Sequence, residues 1–249
     1  CDTCMDSAGL PLGTMLMTDN LDDLRNEIDV VDNRILELIA ARMALSDKVT
    51  AAKAGKVAFR PGREAALMRR LASQQPDMSG TILLGIWRQI LAASLNRQDT
   101  GLHFIVHRDV APTATWHMGS ALQASYADTI ADIAAQFVTK SGTQSDTQSG
   151  EGETPYALVP AEDSPELAAW LYEDKSAFVI ARTPLFDMSA VPPAYIIGPA
   201  LPDASGDDIS LIGVLNPDTG HRMHSKTGYY PDGIVDHGDD ARILGIYAR

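Results

Sequence analysis

Two cations, Arg42 and Lys53, stand where the surrounding sequence calls for apolar side chains. At about 100° per residue, Leu24, Ile28, Val31, Ile35, Leu38, Ile39 and Val49 form one continuous helical stripe. Arg42 falls at its centre, and Lys53 lies within roughly 20° of Arg42. Further along, Leu83, Trp87, Leu91, Ser94 and Gln98 share a line whose last two members are polar. Arg63 and Glu64, between these segments, can reach the same space. The set is three cations, one carboxylate and two neutral hydrogen-bonding groups, with no carboxylate on the first stripe. Buried cations without anions are costly, so the missing partner is an anionic ligand. Arg25 lies at the stripe's edge, pointing away from its own chain's cluster; in an intertwined dimer it enters the cluster of the second copy.

These residues need long, regular supports. Asn20 suits the N-cap of a first helix, with Asp22 and Asp23 in the turn where negative charge favours the helix dipole. No Gly or Pro follows until Gly55, so this helix spans about 34 residues, or roughly 50 Å. A helix longer than its own small domain must find cover for its stripe elsewhere, and an intertwined dimer is the simplest solution. "GKVAFRPGRE" breaks the chain before a short helix at about 63–73, with Leu67 and Leu71 inward. "QQPDMSG" is a second break, and a third helix covers about 79–98. Residues 20–100 therefore form an all-α domain of three helices.

Beyond residue 100 the pattern changes. "HFIVH", "YALVP", "AFVIA", "AYIIG" and "ISLIGV" read as strands bounded by Pro, Gly and Asp, with a helical stretch near 119–138. The polar, low-complexity run over 140–155 reads as a mobile loop. Residues 101–249 are thus an α/β (α+β) domain with its own core. Charge divides unevenly, with a net of −1 over residues 1–100 and −12 over 101–249. An acidic chain without a basic face is a poor nucleic-acid binder. No run approaches a membrane span, and the first 20 residues lack the layout of a signal peptide, so the expectation is a cytoplasmic protein. The only cysteines, Cys1 and Cys4, fall in a tail over 1–19 that is expected to be disordered. "HRMH" and "DHGDD" (221–240) look like loop residues at the surface rather than metal ligands.

The first hundred residues resemble the all-helical, type II (AroQ-type) chorismate mutases over 21–98. The resemblance rests on "LRNEIDVVDNRILELIAARMALSDKVTAAK", "GREAAL" and "LAASLNRQ". It implies a homodimer that rearranges chorismate, a dicarboxylate, to prephenate in one pericyclic step without cofactor or metal. It also implies that Arg42 and the partner subunit's Arg25 grip the two carboxylates, while Lys53 and Gln98 donate to the ether oxygen. Glu64 takes the ring hydroxyl, Ser94 and Arg63 support the carboxylate end, and Val49, Leu91 and Leu95 form apolar walls. Arg60 departs from the pattern, since the family often has Asp there, and the linker between Lys53 and Arg63 is short.

The second half more faintly resembles prephenate dehydratase with its ACT domain, through "YALVPAEDS", "KSAFVIA", "DDISLIGVLNPDTG" and "RILGIYAR". The T-R-F signature has become Ser176-Ala177-Phe178 and the span is short, which implies a reduced domain inactive as a dehydratase. The roles this leaves are binding, regulation or stabilisation, with an enzyme complex of aromatic amino acid synthesis as the expected setting. Three alternatives remain: a bifunctional mutase and dehydratase, an isochorismate-pyruvate lyase, and a non-catalytic interaction protein.

Overall fold

The structure is a computed structural model describing residues 20–53, 59–99, 101–119, 123–142, 154–186, 188–216, 220–232 and 240–249. The tail with Cys1 and Cys4 lies outside the described residues, as does the Lys53 side chain. Two compact units divide at Leu45 and Ser46.

Helix α1 (Leu21–Lys53) begins as its sequence requires. The Asn20 carbonyl accepts from the Asp23 and Leu24 amides, and the Asn20 side chain accepts from the Asp22 amide at 3.3 Å. In the single chain its stripe is open: Leu24, Ile28, Val31, Ile35 and Leu38 are between 40% and 59% exposed.

In the second unit, helices α2 (Pro61–Gln74) and α3 (Gly80–Gln98) belong with the mixed α/β part of the chain. Pro61 suits the first turn of α2, where its missing N–H costs nothing. The buried line of α2 is Pro61, Gly62, Ala65 and Met68; Leu67 and Leu71, expected inward, are only half-buried. The line through Ala65 and Met68 wins because α2 packs on the sheet described next.

The sheet has eight strands: β1 (Leu102–His107), β2 (Ala124–Ala127), β3 (Thr154–Pro160), β4 (Phe178–Thr183), β5 (Ala194–Gly198), β6 (Asp208–Asn216), β7 (Gly220–Thr227) and β8 (Ala241–Ala248). Their order is β2-β1-β3-β5-β4-β8-β6-β7. β1 runs parallel to β2 and β3, β4 parallel to β8, and the remaining pairs are antiparallel. Helices α4 (Ala111–Met118), α5 (Ile130–Gly142) and α6 (Pro165–Glu173) complete it. Strand alternation sorts the core into two layers. Ile105, Ala157 and Val159 pack with Ile133 and Phe137 of α5 and Leu167 and Leu171 of α6. Phe104, Val106, Tyr156 and Leu158 pack on the other side with Leu95 of α3 and Ala114 and Met118 of α4.

The helical stretch expected near 119–138 is corrected. Gly119, at φ +72°, ends α4, and residues 124–127 are strand β2, paired to β1 from Phe104↔Ala124 onward. Only from Ile130 does the chain turn helical, so a single apolar run conceals a strand and a helix. The loop expected over 140–155 has its ends in α5 and β3, and 143–153 lie outside the described residues. His221 and His224 are on edge strand β7, not in a loop, and the His221 ring lies 4.8 Å from that of Tyr172. Edge strand β7 carries polar side chains on both sides, which removed its period-2 signal. Among the described residues, no helix is long and apolar enough to cross a membrane.

Candidate active site

Residues near the C-terminal end of α3 meet the last turns of α1. The Gln98 amide donates to the Ser46 hydroxyl, and Arg97 Nε donates to Asp47 Oδ1 at 3.1 Å. The Arg97 guanidinium holds the Asp47 carboxyl below its ordinary range. Ser46 stands four residues after Arg42 and seven before Lys53 in the sequence of α1. Ser94, one turn before Gln98, is buried, and its hydroxyl donates to the Ile90 carbonyl at 3.0 Å. Leu91 is also buried, and Val49 is 39% exposed. Leu95 belongs to the sheet-facing core with Phe59, Leu102 and Phe104.

The other residues of the set are placed as follows. Arg42 is half-buried on α1. Arg25 is exposed, with Nη1 3.1 Å from Asp22 Oδ1 on its own helix. Arg63 is exposed in the first turn of α2. Arg60 donates through Nε to Asp203 Oδ2 at 2.7 Å and anchors the start of α2 to the strand-bearing part.

Glu64 has a partner that the sequence reading missed. Arg88 Nη1 lies 2.7 Å from Glu64 Oε2, with the two side chains only 6% and 16% exposed. Arg88 sits on α3 among Leu84, Ala92 and Leu95, at i−4, i+4 and i+7, so it interrupts a second apolar line. That spacing was readable, but the line through Leu83, Trp87, Leu91, Ser94 and Gln98 hid it. Arg88 and Gln98 are ten residues apart, about 15 Å along the helix axis. Glu64 and Gln98 are therefore anchored at separate points of α3.

Beyond Arg88 lies His117 of α4, whose Nδ1 is 2.7 Å from Thr183 Oγ1 of β4. Burial, and then the neighbouring Arg88 charge, pushes the His117 pKa well below that of a free imidazole. The ring stays neutral at physiological pH. Glu64, Arg88, His117 and Thr183 line one cavity with Phe59, Met68 and Trp116.

Residues 24–99 match the family model of chorismate mutase type II, which accounts for the all-helical region α1–α3. Arg25, Arg42, Lys53, Arg63, Glu64, Ser94 and Gln98 all fall within the matched span. No curated protein and no solved structure matches the chain.

Proposed function

We propose that the helical segment 20–98 rearranges chorismate to prephenate, as a homodimer in which Arg25 acts in the site of the other subunit. The observation that carries this reading is the family match over residues 24–99, a span that contains these cations and hydrogen-bonding groups. The Gln98 amide is consistent with it, because it reaches Ser46 of α1, four residues after Arg42 in sequence. The open stripe from Leu24 to Leu38 supports the dimer, since a second copy of α1 would cover it.

Breaking a C–O bond while making a C–C bond in one step asks little covalent work of the protein. Its contribution is to hold the compact conformer of the substrate and to stabilise charge developing on the ether oxygen. In this reading Arg42 and the partner subunit's Arg25 fix the two carboxylates. Lys53 and Gln98 supply two donors to the ether oxygen. The resemblance assigns the ring hydroxyl to Glu64, whose Oε2 here is held at 2.7 Å by Arg88, a residue about 15 Å along α3 from Gln98. Arg63 and Ser94 support the carboxylate end, and Val49 and Leu91 supply apolar walls; Leu95, expected as a third, is taken up by the sheet-facing core. Residues 101–249 carry no dehydratase step here. Ser176, in place of the T-R-F threonine, is committed to Asp174, its hydroxyl donating to Oδ1 at 2.7 Å.

The test is chorismate disappearance, run beside isochorismate and prephenate. Turnover of chorismate alone, lost in Arg42→Ala, is the expected result. Pyruvate from isochorismate would make the chain a lyase, and phenylpyruvate from prephenate would restore a dehydratase. Unchanged turnover in Arg42→Ala would end the mutase reading. Sedimentation should show a dimer, and Ile35→Asp, at the middle of the open stripe, should give monomer.

A further inference from the structure

The Glu64–Arg88 pair is not the end of its polar chain. Arg88 Nε and His117 Nε2 are both buried and, among the described residues, neither has a hydrogen-bond partner. Both side chains are 5% exposed and both line the same cavity of about 40 Å³. One water needs on the order of 10–15 Å³ of such space, and a cavity that takes benzene is about 150 Å³. The space is therefore right for one to three waters and too small for a ring.

The hydrogen-bonding chemistry selects the same guest. Arg88 Nε can only donate. Neutral His117 has one nitrogen that donates and one that accepts, and Nδ1 is taken up by Thr183 Oγ1 at 2.7 Å. The Arg88 charge favours the tautomer that turns a lone pair, rather than an N–H, toward it. Nδ1–H then donates to Thr183 and Nε2 accepts. The guest must thus accept from Arg88 and donate to His117, which water does and a carboxylate does not.

We infer that an internal water bridges Arg88 Nε and His117 Nε2. It completes a hydrogen-bonded chain from Thr183 of β4, through His117 of α4 and Arg88 of α3, to Glu64 of α2. Each protein link on either side of the water is 2.7 Å. The carboxylate of Glu64 is in this way tied to a strand more than a hundred residues away in sequence.

A high-resolution crystal structure of the full chain tests this without reference to any activity. The expected result is one ordered solvent peak within about 2.7–3.2 Å of both nitrogens. An empty cavity, a peak touching only one of them, or density for a larger molecule would overturn it. In solution, the Arg88 Nε–H proton should show a cross-peak to water, and His117 Nε2 should have the nitrogen shift of an unprotonated ring atom. His117→Phe fills the space without a polar atom and should abolish the cross-peak while the circular dichroism is retained. A cross-peak that survives in His117→Phe, or a protonated Nε2 in the native chain, would refute the bridge.

Discussion

Arg88 Nη1 and Glu64 Oε2 are 2.7 Å apart in a part of the molecule from which water is largely excluded. The pair joins α2 to α3 on the side that faces α4, and each charge depends on the other. Removing one partner of a buried ion pair leaves a bare charge, whereas replacing both with neutral groups of similar size is far milder.

Arg88→Met should therefore destabilise the chain by about 3–5 kcal/mol. The double variant Arg88→Met/Glu64→Gln should recover most of that loss. Urea unfolding at neutral pH measures both. Equal losses in the single and double variants would show that the Arg88 stem, rather than its charge, sets the cost.

His117 makes stability depend on pH with a definite sign. Its folded-state pKa is lowered by burial and by Arg88, so the unfolded chain binds a proton that the folded chain refuses. Its contribution is fully present above the unfolded value near 6.5 and is lost as pH falls below it, by up to about 1.4 kcal/mol per pH unit. Charged groups in the same cavity wall are Glu64 of α2, Arg88 of α3 and Arg182 of β4. Denaturation midpoints measured from pH 7.5 to 5.5 should fall in the native chain and flatten in His117→Gln. A parallel fall in both would assign the effect to another group.

How far the sequence could be read depended on whether each signal was local. The three helices were legible, because a 33-residue run without Gly or Pro and two clear breaks leave little choice. The strands β1, β3, β4, β5 and β6 were legible as short apolar runs between turn residues. Edge strands β2 and β7 were not, since pairing on one side leaves them few apolar positions. Arg25, Arg42 and Gln98 could be picked out as polar breaks in, or at the edge of, apolar lines. The partner of Glu64 was legible only in part: Arg88 also breaks an apolar line, through Leu84, Ala92 and Leu95, but only the fold brings Glu64 of α2 against it. The division of compact units at Leu45 likewise follows from α2 and α3 packing on a sheet that no local pattern announces.

Arg69 fixes that packing. From α2 it donates to the Ser205 carbonyl at 3.0 Å, the Asp207 carbonyl at 2.9 Å and the Arg249 carbonyl at 2.9 Å. About two turns earlier, a Cβ at Gly62 would meet the Asp203 carbonyl oxygen at 2.1 Å, so the helix and this loop approach as only glycine allows. Arg69→Ala should cost about 2 kcal/mol, since charged donors to main-chain oxygens are among the stronger hydrogen bonds. Gly62→Ala should loosen the same junction, and hydrogen exchange at Ser205–Asp208 reads both variants. Protection unchanged in Arg69→Ala would show that apolar burial alone holds α2.

Gln98 offers the sharpest test of the proposed chemistry, because its amide group can be altered without touching the core. It is half-buried and rests on Ser46 of α1. If it donates to the ether oxygen as charge develops, Gln98→Leu removes a transition-state interaction and leaves the grip on the carboxylates intact. Loss of one such donor costs about 10²–10³ in kcat. KM for chorismate should then change little, because the ground-state contacts of Arg42 and Arg25 remain. Gln98→Glu should regain activity at acidic pH, where a protonated carboxyl can donate, and lose it as pH rises. Ser46→Ala, which removes only the resting partner of the amide, should leave kcat within about threefold of the native value. A rise in KM at constant kcat in Gln98→Leu would instead make Gln98 a binding residue with no part in stabilising the ether oxygen.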